Sequence, residues 1–303
     1  MAENTKIEWC HHTFNPWVGC TRLSPACDHC YAEAWAKRTG QPHLWTGERR
    51  RTSASNWQQP LKWDRAAAAA GERHRVFCAS LADFFDHQVP SRWRDNAWHL
   101  ISQTPHLDWM LLTKRPQNIA KMLPGPAIGA PAWGAGWSNV WLGTTIEDRA
   151  RLRNLDALRA VPAWVRFLSC EPLLEDLGEI DLTGIHLVIV GGESGPGARP
   201  MYPDWARSLR DQCQAAAIDY HFKQWGEWGP GAAFDATESA RAVYRGEIQT
   251  LHIAGSREIK LAMPTRDDDA LGPPLTLERY GKKAAGRLLD GRTWDQMPEV
   301  SHV

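Results

Sequence analysis

The sequence lacks several features that define common classes of protein. No stretch of its 303 residues approaches the roughly 18 consecutive apolar residues of a membrane span, so it predicts no transmembrane helix. Basic and acidic side chains are equal in number, 35 of each, which excludes a global positive field that would attract nucleic acid. The first residues carry no apolar secretion segment, and the seven cysteines are odd in number. We therefore expect a reducing, cytoplasmic location in which thiols serve metal binding or packing.

Three of the cysteines, Cys20, Cys27 and Cys30, form a closely spaced group with the pattern C-x6-C-x2-C. Thiolates at this spacing can reach one metal centre, for which zinc or iron is the usual choice. A closed structural zinc site needs four ligands, and no second C-x2-C or H-x3-H pair follows. Three thiolates on an iron–sulfur cluster leave one iron open to a ligand. The pattern therefore favours an iron–sulfur cluster with one open position.

Two other interpretations of the cysteines stay open. One is a zinc site completed by Cys10, His11, His12 or His29, and the other is three unrelated buried thiols. The seventeen tryptophans are spread along the chain, so we expect most of them in the core and a few as stacking platforms.

Short apolar runs alternate with amphipathic helices from Arg75 onward, in six units that follow a first strand before the cysteines. This order predicts parallel strands with right-handed crossovers, closed into an α/β fold, a partial or full (β/α) barrel of about six to seven strands. We expect residues 1–228 to form the barrel and residues 229–303 a small C-terminal appendage. The predicted strands span 75–80, 107–113, 139–145, 164–169, 185–190 and 218–224, and the predicted helices span 31–39, 91–103, 116–123, 147–160 and 204–217.

Polar residues gather where the predicted strands end. In a barrel of parallel strands the functional site forms at the carboxyl ends of the strands. The sequence therefore predicts an enzyme-like pocket lined by Cys20, Ser80, Asp83, Thr113, Lys114, Thr144, Thr145, Glu147, Glu171, Glu193, Ser194, Lys223 and Gln224.

The first strand and the cysteine loop carry a family resemblance. The segment IEWCHHTFNPWVGC, the three cysteines and a helix beginning at Tyr31 resemble the start of a radical S-adenosylmethionine (SAM) enzyme. The usual spacing in that superfamily is C-x3-C-x2-C, so the first gap is longer here, and His29 replaces the aromatic residue before the last cysteine. As a whole the chain resembles the phage and prophage Gp37/Gp68-type family of unknown function, which is similar to the spore photoproduct lyase branch of radical SAM enzymes.

The resemblance implies a cofactor set and roles for individual residues. It implies a 4Fe-4S cluster on the three cysteines and SAM on the open iron, with a reductant protein as partner. One electron then cleaves SAM to start radical chemistry on an unknown substrate, which we expect to be a nucleic acid or nucleotide. By the same resemblance Ser80 and Asp83 are candidate SAM-binding residues, and Lys114 and Cys170 are candidate catalytic residues. The positions at strand ends add Thr145, Glu147, Glu171, Gly192 and Glu193 as candidate cofactor-binding residues.

Two other functions compete with a radical SAM enzyme. One is a non-catalytic, zinc- or cluster-stabilised phage-associated binding protein that has lost SAM. The other is a metal-dependent hydrolase or nuclease that uses strand-end carboxylates. No H-x-H or HExxH pair lies at a predicted strand end, which makes the hydrolase the weakest of the three. Its candidate ligands are Asp83, Glu147, Glu171 and Glu193.

Overall fold

The computed structural model describes residues 3–125, 129–230, 249–253, 257–262 and 275–299. A seven-stranded sheet, in which each strand pairs in parallel with the next, organises the fold. With strands numbered along the chain, its members are β1 (His12–Phe14), β4 (His74–Cys78), β5 (Leu107–Thr113), β6 (Val140–Thr145), β7 (Val165–Cys170), β8 (Leu187–Gly191) and β9 (Asp219–Gln224).

The order of the strands in the sheet follows their order in the chain. Right-handed crossovers then place every connection on the same face of the sheet, and the other face curves around an interior. Within the described residues the edge strands β1 and β9 do not pair with each other, so the sheet is an open half-barrel. The predicted partial barrel of parallel strands is therefore confirmed.

Helices cover the outer face of the half-barrel. They are α2 (Ala54–Trp57), α3 (Gln59–Ala70), α4 (Ser91–Ser102), α5 (Arg153–Arg159) and α6 (Pro203–Ala215). Helix α1 (Tyr31–Arg38) packs instead against Val18 and Leu44. The inner face carries its own apolar cluster, which includes Trp9, Phe77, Met110, Trp141 and Phe167. Strands that are buried on both faces explain why the sequence reads as continuous apolar runs there.

Three connections differ from the prediction. Helix α3 was not predicted because its alanine-rich sequence buries only Pro60, Trp63 and Ala67 and shows little periodicity. The helix predicted over 116–123 is the 3-10 helix Pro116–Met122. The helix predicted over 147–160 is divided into the 3-10 turn Arg149–Arg151 and α5.

The chain after β9 forms a smaller antiparallel sheet and then returns to the half-barrel. The smaller sheet contains β10 (Trp228–Pro230), β11 (Gln249–Ile253), β12 (Arg257–Ala262) and β13 (Leu275–Arg279), and α7 (Lys282–Ala285) follows. Residues after α7 lie along β9, where the amide of Phe222 donates to the carbonyl of Trp294 at 2.9 Å. This segment covers the free edge of β9, and Met297 packs against the inner core. The boundary at residue 228 stays a prediction.

In the part of the chain that the structure describes, no helix combines the length and the apolar character that a membrane crossing requires.

Candidate functional site

A cavity of about 430 Å³ lies at the carboxyl ends of the parallel strands. Ligand sites in proteins typically have about 300 to 1,000 Å³, so the cavity can hold a cofactor-sized molecule. All three cysteines of the C-x6-C-x2-C pattern line it. So do most of the strand-end residues that the sequence predicted, namely Ser80, Asp83, Thr113, Lys114, Thr145, Glu171, Gly192, Glu193, Ser194, Lys223 and Gln224.

The cysteine loop, residues 19–30, joins the short strand β2 (Trp17–Val18) to α1. β2 pairs with β3 (Arg50–Arg51). Gly19 opens the loop with a φ of +110°, and a Cβ there would lie 2.3 Å from the carbonyl oxygen of Glu48. Only glycine tolerates both this φ and this close approach, so Gly19 sets the direction in which the chain leaves β2 before Cys20. Cys27 ends a 3-10 turn, and Cys30 is the N-cap of α1. All three thiols are free.

Burial keeps two of these thiols protonated. It raises the pKa of Cys20 to about 11, helped by the charge of Asp83 and opposed by Arg115, whose Nη1 lies 4.0 Å from the sulfur. Burial also raises the pKa of Cys30. A metal binds thiolate and releases the proton, so these groups need a metal or another strong cation to ionise near neutral pH.

Lys114 faces the thiols from the end of β5. Burial lowers the pKa of Lys114, but Cys27, Cys30 and Glu147 raise it, and the net change is upward. Lys114 is therefore a cation in the wall of the cavity that the three thiols also line.

Asp83 organises the wall beside Cys20. One of its carboxylate oxygens accepts from the amide of Phe85 at 2.9 Å and from Thr113 Oγ1 at 2.7 Å. The other accepts from the amide of Lys114 at 3.1 Å and from Arg115 Nη1 at 2.9 Å. Both oxygens are thus engaged by the chain itself, and Asp83 holds Arg115 next to Cys20. Its predicted contact with SAM stays a prediction.

Arg199 connects the cysteine loop to the end of β8, and the sequence did not single it out. Its Nη2 donates to Glu193 Oε1 at 2.6 Å and to the carbonyl of Pro25 at 2.9 Å. Its Nη1 donates to Asp28 Oδ2 at 3.3 Å. Pro25 and Asp28 flank Cys27, so the guanidinium fastens the loop at the second cysteine. Glu193 and Arg199 are six residues apart in a glycine-rich loop, and no periodic pattern marks the pair.

Gly191 and Gly192 bring the ends of β8 and β9 together. A Cβ on Gly192 would lie 1.9 Å from the carbonyl oxygen of Trp225, and a Cβ on Gly191 would lie 3.2 Å from Glu171 Oε1. Glu171 in turn pairs with Lys223, with Nζ and Oε1 2.7 Å apart. Close packing therefore requires a glycine at position 192, and Gly192 contributes only backbone to the cavity wall.

Two of the predicted residues are buried polar groups that lack hydrogen bonds among the described residues, although Arg151 Nε lies 3.7 Å from Glu147 Oε1. Thr145 lies in the cavity wall, and its hydroxyl has no hydrogen-bond partner among the described residues. Glu147 lines an adjacent cavity instead, and neither of its carboxylate oxygens receives a hydrogen bond there. Ser80 is different, because its hydroxyl accepts from Asn15 Nδ2 at 2.9 Å.

Cys170 does not line the cavity, so the structure does not bring it together with the other predicted site residues, and its catalytic role stays a prediction. Its side chain is fully buried in the outer core that faces the helices, and it does not line the cavity. Successive residues of a strand point to opposite faces, so Ser169 faces the cavity and Cys170 does not.

Of the four residues proposed to complete a zinc site, Cys10, His11 and His12 do not line the cavity with the cysteines, and His29 does. His11 and His12 lie at the amino ends of the strands, where His12 Nε2 is 3.1 Å from His74 Nδ1. Cys10 packs in the inner core, and burial raises its pKa to about 12. Across the described ranges, no group of three or more His, Cys, Asp or Glu side chains has the arrangement of a single-ion site.

Comparison with known proteins gives a family and a set of distant structural neighbours. A family described as "Protein of unknown function (DUF5131)" matches residues 4–298. Spore photoproduct lyase complexed with dinucleoside spore photoproduct is 13% identical with a TM-score of 0.41, and the alignment covers 67% of this chain and 61% of that one. A double mutant of the lyase with bound AdoMet and dinucleoside spore photoproduct is 12% identical with a TM-score of 0.41, covering 89% and 69%. No curated protein matches the chain.

Proposed function

Because the chain belongs to the DUF5131 family, whose members are described only as proteins of unknown function, we propose its activity from the site itself. The protein is a radical SAM-type enzyme that holds a 4Fe-4S cluster on Cys20, Cys27 and Cys30. The observation that carries this proposal is that three free thiols of one loop face a single cofactor-sized cavity at the carboxyl ends of parallel strands. The Gp37/Gp68-type relationship and a cytoplasmic location stay predictions.

The donor set fits an open-site cluster. Three thiols can hold three irons, and no fourth cysteine is among the described residues that line the cavity. In a cuboidal cluster each thiolate binds a different iron, so its ligands stand farther apart than the ligands of a single ion. This agrees with three thiols that share a cavity without converging on one ion site.

The surrounding residues suit a second, polar cofactor. The Thr145 hydroxyl is buried and has no hydrogen-bond partner among the described residues, Lys114 is a cation, and Gly192 contributes backbone to the cavity wall. We assign these groups to SAM, whose carboxylate, ribose and adenine need a cation, hydroxyl partners and close backbone approach. When bound, the cluster supplies the electron that cleaves a carbon–sulfur bond of SAM, and an external reductant protein must supply that electron.

Glu193 and Asp83 act on this site through arginines. Glu193 orients Arg199 across the cysteine loop, and Asp83 orients Arg115 beside Cys20. We therefore assign both carboxylates as positioning residues. Glu171 is held by Lys223 and Ser169, and it shapes the cavity floor next to Gly191.

A nucleotide or nucleic acid is the substrate class that the rim of the cavity supports. Tyr31 is 56% exposed at the cavity wall, and Trp45 and the exposed Lys282 also line it. Aromatic rings can stack on a base, and a lysine can meet a phosphate.

The direct test is SAM cleavage by anaerobically reconstituted protein with dithionite as the reductant. We expect 5′-deoxyadenosine to form, to be absent with Cys30→Ala, and to persist with Cys213→Ala, a buried thiol remote from the cavity. Wild-type protein that carries a full cluster and binds SAM but forms no 5′-deoxyadenosine would contradict the proposal.

A further inference from the structure

A buried guanidinium lies against the first cysteine of the loop. Arg115 follows two residues after the end of β5 and is only 3% exposed. Its Nη1 lies 4.0 Å from Cys20 Sγ and donates to Asp83 Oδ2 at 2.9 Å. Its Nη2 donates to Thr21 Oγ1 at 3.0 Å. One guanidinium therefore contacts the cysteine, the next residue of the loop and a carboxylate of the cavity wall.

A second buried arginine holds this arrangement in place. Arg49, whose side chain is 2% exposed, donates from Nε to Asp86 Oδ2 at 2.8 Å, and its Nη2 lies 3.4 Å from Thr21 Oγ1. The same Asp86 oxygen lies 3.9 Å from Arg115 Nη2. The two arginines thus share Thr21 and Asp86. Movement of Arg115 away from Cys20 would leave buried polar groups unpaired, which is costly.

The arginine contact is made to one cysteine of the three. Among the described residues, no guanidinium hydrogen bonds to the sulfur of Cys27 or Cys30. Arg199 reaches the loop only at the carbonyl of Pro25 and the carboxylate of Asp28. The charge of Arg115 therefore acts on a cluster mainly through the ligand Cys20.

We propose that Arg115 sets the reduction potential of the cluster by placing a buried positive charge beside Cys20. This inference rests on the proposed function. Reduction transfers one electron from an external one-electron reductant to the cluster, and no bond of the chain forms or breaks. A positive charge favours the more negative, reduced form, and burial limits its screening by water and salt. Arg115 acts through Cys20, so it is a positioning residue.

Asp83 is the opposing charge of the same pair. It binds the guanidinium nitrogen that faces Cys20, so its negative charge partly cancels that of Arg115. The potential should therefore depend on the balance of the two groups. Removal of one charge or the other should shift the potential in opposite directions.

The test is a redox titration of the anaerobically reconstituted full chain, followed by electron paramagnetic resonance and performed without SAM. Arg115→Gln removes the charge but keeps an N–H donor. We expect the ratio of reduced to oxidised cluster at a fixed potential to fall about tenfold, which is a shift of about 59 mV to a more negative midpoint. Asp83→Asn should shift the midpoint to a more positive value. Arg115→Lys, which keeps the charge, should restore most of the wild-type potential.

Arg94→Gln is the matched control for Arg115→Gln. Its guanidinium is also buried, at 6% exposed, but it donates to the backbone carbonyls of Phe84 and Asp86. In the described part of the chain no hydrogen bond joins it to the cysteine loop. Arg94→Gln should lower the melting temperature and leave the midpoint potential unchanged. A purely structural role would make Arg115→Gln behave in the same way.

Several outcomes would overturn the inference. Midpoints equal to wild type in Arg115→Gln and Asp83→Asn would do so, and so would shifts of the same sign in both variants. If Arg115→Gln assembles no cluster, an unchanged midpoint in Asp83→Asn is decisive against it. A wild-type protein that assembles no 4Fe-4S cluster would overturn the proposed function and this inference together. A wild-type cluster with unshifted variants would overturn this inference alone.

Discussion

Individual carboxylates at the strand ends differ sharply in the number of hydrogen bonds that they accept. Asp83 accepts from four donors of the chain, and Glu193 is clasped by Arg199, whereas Glu147 receives no hydrogen bond from the described residues. The sequence predicted that these residues share one end of the barrel, because parallel strands bring their carboxyl ends together. It did not predict which of them accept hydrogen bonds, since Asp83 is held by Arg115, 32 positions away, and Glu193 by Arg199, a pair that no periodic pattern marks.

Gly192 is the residue at which a small change should have a large effect. Gly192→Ala would place a methyl group 1.9 Å from the carbonyl oxygen of Trp225, so the backbone of β8 or β9 must move. We expect the free energy of unfolding in urea to fall by about 3 kcal/mol or more.

Gly125→Ala is the matched control for Gly192→Ala, since a Cβ there meets nothing within 4 Å. Its expected effect is within about 0.5 kcal/mol. Equal stability of the two variants would show that the ends of β8 and β9 do not approach each other as described.

At the scale of elements, the strands followed the prediction closely and the connections did not. β5 has the predicted bounds, and the other sheet strands after β1 begin and end within about two residues of prediction, because buried parallel strands give unbroken apolar runs. The connections depend on local hydrogen bonds, such as those of helix caps, which the apolar runs do not reveal. The side chain of Asp148 accepts from the amide of Arg151 and caps a 3-10 turn, which divides the predicted helix before α5.

The cysteine loop should depend on Arg199 for its order. In Arg199→Ala the contacts to Pro25 and Asp28 are lost, so hydrogen exchange of the amides at residues 20–30 should rise about tenfold or more in the metal-free protein. Arg199→Lys should restore the slow exchange only in part, because an ammonium lacks the planar guanidinium geometry that reaches both partners.

Arg210→Ala serves as the control for Arg199→Ala. Its contacts to Asp211 and Asp290 are remote from the loop, so exchange at residues 20–30 should match wild type. If hydrogen exchange at residues 20–30 in Arg199→Ala also matched wild type, Arg199 would not be the residue that orders the cysteine loop.

At the scale of the whole molecule, the C-terminal segment covers the edge of β9 that the seven-stranded sheet leaves unpaired. The sequence predicted an appendage because the composition changes after Gly226. It did not predict that residues 292–297 return to β9, since the pairing of Phe222 with Trp294 is a long-range contact with no local signal. The parts of the predicted appendage at residues 231–248 and 263–274 lie outside the described residues.

Buried neutral histidines should make the molecule sensitive to acid. Burial lowers the pKa of His12 and His221 to about 4, against about 6.5 in an unfolded chain. Between these values the unfolded state binds protons that the folded state does not, so stability falls as pH decreases from about 6.5 to 4. We expect a loss of up to about 3 kcal/mol for each buried ring, measured as the urea unfolding free energy against pH.

Single substitutions distinguish the contribution of these histidines to the pH dependence from that of the other titrating groups. His221→Gln should remove the part of the dependence between pH 6.5 and 4 that this ring contributes and retain the part due to His12, while His87→Gln, at a side chain that is 70% exposed, should leave the dependence unchanged. A wild-type protein whose stability is level across that window would contradict the burial of His12 and His221.

The measurement that tests the central claim is the iron and sulfide content of anaerobically reconstituted protein. It is combined with electron paramagnetic resonance of the reduced sample before and after SAM is added. The account predicts about four irons per chain, a signal that changes when SAM binds the open iron, and loss of both with Cys27→Ala. Little iron, stoichiometric zinc and no response to SAM would contradict it and would identify a metal-stabilised binding protein instead.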